Sequence, residues 1–144
     1  MPIVPLAWRR SIESVIRQVH TSYSLVASAN LTCTNAYLDV DGLSTTIGGG
    51  KWKADLTMQI NMVTEDASGA LWGQGKYIVN GVDRPEEIGV YTPDATRFVH
   101  QPGQSIIIDA SGPTTVKVQA QKSAATGSVV VYAGKTTLNI VRQS

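Results

Sequence analysis

The sequence predicts an all-β protein, an antiparallel sandwich or barrel, and three observations predict it. Residues 51–63, KWKADLTMQINMV, alternate without a break. Trp52, Ala54, Leu56, Met58, Ile60 and Met62 fall on one side, and Lys53, Asp55, Thr57, Gln59 and Asn61 fall on the other. That is the period of a half-buried strand, because successive strand side chains point to opposite faces. Secondly, short runs of the same kind fill the chain from Tyr23 onward, separated by turn-forming clusters. Thirdly, no repeat, linker or low-complexity tract divides residues 23–144, which argues for one β domain.

Taken in order, residues 1–10 read as an extended arm. Pro2 and Pro5 fix φ and push their neighbours toward β or polyproline geometry. In residues 11–20, SIESVIRQVH, the period changes: Ile12, Val15, Ile16 and Val19 follow i, i+3, i+4, i+7, one face of a helix. Ser11 can cap it, but the β-branched residues lower helix propensity, so helix and strand both stay open here. Strands are expected near 22–28, 34–40, 43–47, 51–63, 70–79, 87–91, 96–100, 104–109, 114–121, 128–133 and 136–142. Turn signals separate them at Asp41-Gly42, Gly48-Gly49-Gly50, Ser68-Gly69, Asn80-Gly81, Pro102-Gly103, Ser111-Gly112-Pro113, Thr126-Gly127 and Gly134-Lys135. The expected organisation is an arm, residues 1–21, and a β domain, residues 22–144.

The bulk numbers narrow the function. The 144 residues are 42% hydrophobic but only 16% charged, with a net charge of +1. A nucleic-acid binder carries a basic surplus or stripe, and none is present. Low charge suits a surface that other subunits cover, since few ions are then desolvated. No stretch is long and apolar enough for a membrane-spanning helix. The start, MPIVPLAWRRS, does not read as a secretory signal, because its apolar part precedes its charges and is broken by prolines. The single cysteine, Cys33, sits in the alternating run LTCTNAYL and reads as a small buried strand residue.

The residues offer little for catalysis. Asp39-Val40-Asp41-Gly42 resembles the opening of a calcium loop, but the later ligands are missing, and a β-turn explains it as well. Glu86 and Glu87 are adjacent and would face opposite ways on a strand. His20 and His100 have no second ligand at metal spacing. No G-x-S-x-G elbow is present, and Gly48-Gly49-Gly50 opens no helix. We therefore expect no enzyme, no cofactor and no metal. Trp52 is expected in the core, and Trp72 on either the core or a subunit face. Trp8, Arg9 and Arg10 sit in the arm, where Trp and Arg are favoured interface anchors.

The passage AYLDVDGLSTTIGGGKWKADLTMQINMV resembles the opening strands of a tumour-necrosis-factor-like jelly roll. The close, TTVKVQAQKSAATGSVVVYAGKTTLNIVRQS, fits the same family: two alternating strands, a small-residue turn, and a final T-x-L-x-I-V-R strand. The resemblance covers residues 22–144. It implies an antiparallel jelly-roll sandwich forming a homotrimer, as in bacteriophage fibre tips and capsid-decoration subunits. It makes Val130, Tyr132, Leu138 and Ile140 candidates for the core or the trimer axis. The family's stalk is replaced by a short arm, so the implied function is a cement subunit on the virion exterior, made in the host cytoplasm. The arm, through Trp8, Arg9, Arg10, Ile12 and Ile16, would hold the major capsid protein or other virion subunits. The alternative is a receptor-binding fibre or tail tip recognising host glycan or protein through loops 64–69, 80–87 and 92–96, which carry Asp66, Asp83, Arg84 and Asp94.

Overall fold

The computed structural model describes residues 22–63, 71–92, 97–122 and 127–143. They form eleven strands and, among the described residues, no helix. The strands are β1 (Ser22–Val26), β2 (Leu31–Thr32), β3 (Leu38–Ile47), β4 (Gly50–Val63), β5 (Leu71–Val79), β6 (Val82–Thr92), β7 (Arg97–Pro102), β8 (Ile106–Ala110), β9 (Thr114–Lys122), β10 (Ser128–Val131) and β11 (Thr137–Arg142). Every pairing is antiparallel. One sheet has seven strands and the other four, in the order β3-β9-β5-β6. Apart from adjacent pairs such as the β5–β6 hairpin, the chain keeps crossing from one sheet to the other, which is jelly-roll connectivity.

The long strand β4 is the spine of the larger sheet. Along one edge it pairs first with β11 and then with β10; along the other it pairs first with β8 and then with β7. Strands β1 and β2 lie outside β11 and β10. Its inward residues Trp52, Ala54, Leu56, Met58 and Ile60 are all buried. Opposite them in the core lie Leu43 and Ile47 of β3, Tyr77 of β5, and Val116, Val118 and Ala120 of β9. The two sheets approach closely where β5 carries glycine. A Cβ on Gly75 would sit 2.6 Å from the Met58 sulfur, and one on Gly73 would sit 3.0 Å from Val129.

A strand served by two partners on each edge has a break on each edge, where backbone groups lose their ladder. Buried hydroxyls close both breaks. Between β7 and β8, Tyr77 reaches across the core from the other sheet: its hydroxyl accepts from the Leu56 N–H at 3.0 Å and donates to the Gln104 carbonyl at 2.7 Å. The Gly103 N–H donates to the Leu56 carbonyl beside it, at 2.7 Å. Between β10 and β11, the fully buried Thr136 accepts from the Gln59 N–H at 3.0 Å, and the Tyr132 N–H donates to the Gln59 carbonyl at 2.9 Å. Removing the Tyr77 hydroxyl strands a buried donor, which costs more than the bond itself contributes. Tyr77→Phe is therefore expected to lower stability by about 1–3 kcal/mol in urea unfolding, with an unchanged slope. A loss within error of zero would remove the hydroxyl from this role.

The structure revises three sequence expectations. The strands expected at 34–40 and 43–47 are one strand, β3, and Asp41-Gly42 lies inside it. The register with β9 shifts between Asp39 and Ser44, so the glycine serves a bulge, with φ +88°. The Ser28 N–H donates to the Asp41 carbonyl there, and a Cβ on Gly42 would lie 2.6 Å from the Val26 carbonyl oxygen. The loop expected at 80–87 is also absent. Asn80 (φ 50°) and Gly81 (φ 78°) make a two-residue turn with both φ values positive, and β6 starts at Val82. Pro85 argues against a strand by sequence, but β6 is the edge of its sheet, where proline is tolerated. Finally, the two-residue strand β2 went unsignalled, being too short to show a period.

Candidate functional site

Alternation and register define the outward face of the seven-stranded sheet. Ser22, Val141, Lys53 and Ile107 share one row across β1, β11, β4 and β8. Ser24, Asn139 and Asp55 share the next, and Val26, Thr137 and Thr57 the one after. Exposed hydrophobic residues flank the middle row: Val141 at 42% and Ile107 at 43% on one side, Val26 at 47% on the other. The middle row is polar and internally bonded. Ser24 donates to the Asn139 side-chain oxygen at 3.0 Å, and Ser105 donates to Asp55. Lys53 lies 4.0 Å from Asp55, a pair open to water.

Of the four residues expected at the core or axis, Leu138 and Ile140 are fully buried in the core. Val130 is half-buried on the outward side, opposite Asn61 and Thr32, because Val129 and Val131 take the inward positions of β10. Tyr132 is half-buried just beyond β10. The run SVVVY is apolar on both faces, so alternation could not set its phase. Trp8, Arg9, Arg10, Ile12 and Ile16 lie outside the described residues, as do His20, Asp66 and Asp94. Asp83 and Arg84 sit on β6, and the Arg84 guanidinium donates to the Ile107 carbonyl at 2.8 Å. His100 lies on β7 in register with Gln59.

Cys33 is buried, and burial pushes its thiol up to about 11, with Lys122 opposing. It is thus a protonated thiol at neutral pH, unsuited to nucleophilic attack. Among the described residues no three His, Cys, Asp or Glu side chains group as a metal site. Asp39, the first residue of the suspected calcium loop, is engaged elsewhere. The Gln119 amide donates to it at 2.7 Å and the Lys117 ammonium lies 3.1 Å away. The Gln119 bond first and the Lys117 bond second hold its carboxyl below the usual carboxylate range.

Asp39 belongs to a bonded layer on the outward face of the four-stranded sheet, which sequence reasoning did not foresee. Register brings Asp39, Gln119 and Lys76 into one row across β3, β9 and β5. Gln121 and Gln74 form the next row, with the Gln121 amide donating to the Gln74 oxygen at 2.8 Å. Lys76 donates to Asp83 at 2.6 Å, and its ammonium stands 3.9 Å from the centre of the Tyr37 ring. Its side chain is only 12% exposed, so this cation is held by its partners rather than by water. The sequence signal was present but faint: polar residues at every second position of residues 115–121.

Fold and surfaces together define an all-β jelly-roll-type sandwich with two differently built outward faces. No protein-family model matches the sequence, and no curated protein does. Solved structures resemble it in architecture. Dimeric latent PorU from Porphyromonas gingivalis aligns over 85% of this chain at 8% identity and a TM-score of 0.49, and the chain spans 13% of that protein. The EclA C-terminal domain, a sugar-binding protein, aligns over 83% of this chain and 76% of its own at 17% identity and a TM-score of 0.41. The VP2 subviral particle of infectious bursal disease virus aligns over 84% of this chain and 37% of its own at 13% identity and a TM-score of 0.39.

Proposed function

We propose that this protein is a structural, non-catalytic virion subunit, a homotrimeric capsid-decoration protein. Its sandwiches meet through the outward face of the seven-stranded sheet, and residues 1–21 attach the trimer to the major capsid protein. The observation that supports this is the composition of that face: Val26, Ile107 and Val141 are exposed on either side of the polar row of Ser24, Asn139 and Asp55, and the opposite charges of Lys53 and Asp55 lie 4.0 Å apart. Apolar burial drives association, and charge pairs of this kind can exchange between copies without stranding an ion. A stable interface needs about 1,600 Å² in total, which one sheet face of this size can supply in part. Three arms on one trimer turn weak individual contacts into firm attachment.

Light scattering tests the assembly. The full chain is expected to run as a trimer, and Ile107→Asp with Val141→Asp as a monomer that keeps its β circular dichroism. A monomeric parent, or a variant of unchanged mass, would overturn the assignment. Deleting residues 1–20 is expected to leave a trimer that no longer decorates shells. The second reading, a fibre or tail tip that binds a host receptor, draws on the bonded polar layer of the four-stranded sheet.

A further inference from the structure

We propose that the outward face of the four-stranded sheet binds a neutral glycan, with Gln74, Lys76, Gln119 and Gln121 as the contact residues. The charge of the layer comes first. Lys76 is paired with Asp83 and Lys117 with Asp39, so these four charges cancel within the layer. An anionic ligand would meet two carboxylates, and a cationic one two ammonium groups. An apolar protein surface would have to strip water from both ion pairs with nothing to replace it. A ligand without charge and dense in hydroxyls avoids all three penalties, because each hydroxyl both donates and accepts.

The second step is orientation. One end of each carboxamide is fixed by a partner in the layer. Gln119 donates to Asp39, which leaves its oxygen directed by that bond; Gln121 donates to Gln74, which leaves the Gln121 oxygen and the Gln74 amide directed in turn. Fixed acceptors and donors lose little rotamer freedom when a ligand arrives. The two rows lie about 7 Å apart along the strands, room for one sugar ring and its hydroxyls. The third step is the aromatic ring. Tyr37 is half-buried beside the layer, and its ring holds the Lys76 ammonium over its face, so that cation is a fixed donor at the edge of the layer. Strands of one sheet carry the layer, so it is built on rigid elements. The face lies on the opposite side of the sandwich from the association surface proposed above, and the inference holds whether the protein is a trimer or a monomer.

The test is a printed panel of neutral oligosaccharides ending in glucose, galactose, mannose or N-acetylglucosamine, with sialylated and sulfated oligosaccharides as the charged arm. The full chain is expected to bind members of the neutral arm. Gln119→Ala and Gln121→Ala are each expected to weaken the best hit roughly tenfold in titration calorimetry, about one lost hydrogen bond, with an unchanged melting temperature. Lys117→Ala tests the same layer through Asp39, whose orientation it supports, and is expected to weaken binding less. Absence of neutral binding, binding confined to the charged arm, or undiminished binding by the two glutamine variants would each overturn the proposal.

Discussion

Leu138→Asp is expected to leave no folded protein. Leu138 is fully buried on β11, paired with Leu56 of β4 on one side and Leu25 of β1 on the other. A carboxylate there loses its water and gains no partner from Leu56 or Leu25 beside it. The cost is several kcal/mol whether the group stays charged or takes up a proton. It adds to the loss of Leu packing, on the order of 2–5 kcal/mol. Together these approach the whole stability of a domain this size, about 5–15 kcal/mol. Loss of β circular dichroism, or recovery only as aggregate, is the expected result. A variant that melts like the parent would take β11 out of the core.

Trp52→Ala is expected to give a folded but much weaker protein. Trp52 is 1% exposed, near the β8 end of β4. Its indole N–H donates to the Gly48 carbonyl at 3.0 Å, and the Tyr23 ring lies 5.7 Å away. The Arg142 guanidinium sits 5.4 Å from the indole and also donates to the Gly49 carbonyl at 2.9 Å. One side chain thus ties together the 48–50 turn, β1 and the end of β11. Truncation opens a cavity and releases those contacts, at about 3–5 kcal/mol. At this chain length the melting temperature should fall on the order of 10 °C. Because the contacts lie at one end of the sandwich, hydrogen exchange should speed most in β1 and the last residues of β11. A shift of only a degree or two would show that the site collapses around the missing ring. Trp8→Ala, in the arm, is expected to leave the melting temperature alone and to weaken shell attachment.

The sequence was most legible where one face of a strand meets oil and the other water. Residues 51–63 displayed that contrast over their whole length, and Trp52 through Ile60 are buried in the predicted phase. Asn80-Gly81 announced a turn, and the hairpin is there, since few dipeptides adopt two positive φ values in a row. The surfaces were less legible. The bonded layer of Asp39, Gln119, Lys76, Gln121 and Gln74 draws on three strands from distant parts of the chain, so only the sheet order creates it. Val130 could not be assigned a side, because both neighbours in SVVVY are as apolar as it is.

By itself the sequence determined the class of structure: an antiparallel β-sandwich, its spine strand, and most of its turns. These follow from local rules, the two-residue period and the φ demands of glycine and proline. The tertiary structure alone decided which strands flank β4, that it changes partner on both edges, and that Tyr77 and Thr136 close the breaks. Those choices depend on satisfying every buried backbone N–H and carbonyl across segments far apart in the chain, as between Gln59 and Thr136 or between Ala27 and Thr136. Periodicity fixes the face a side chain takes; only the assembled sheets fix what it meets there.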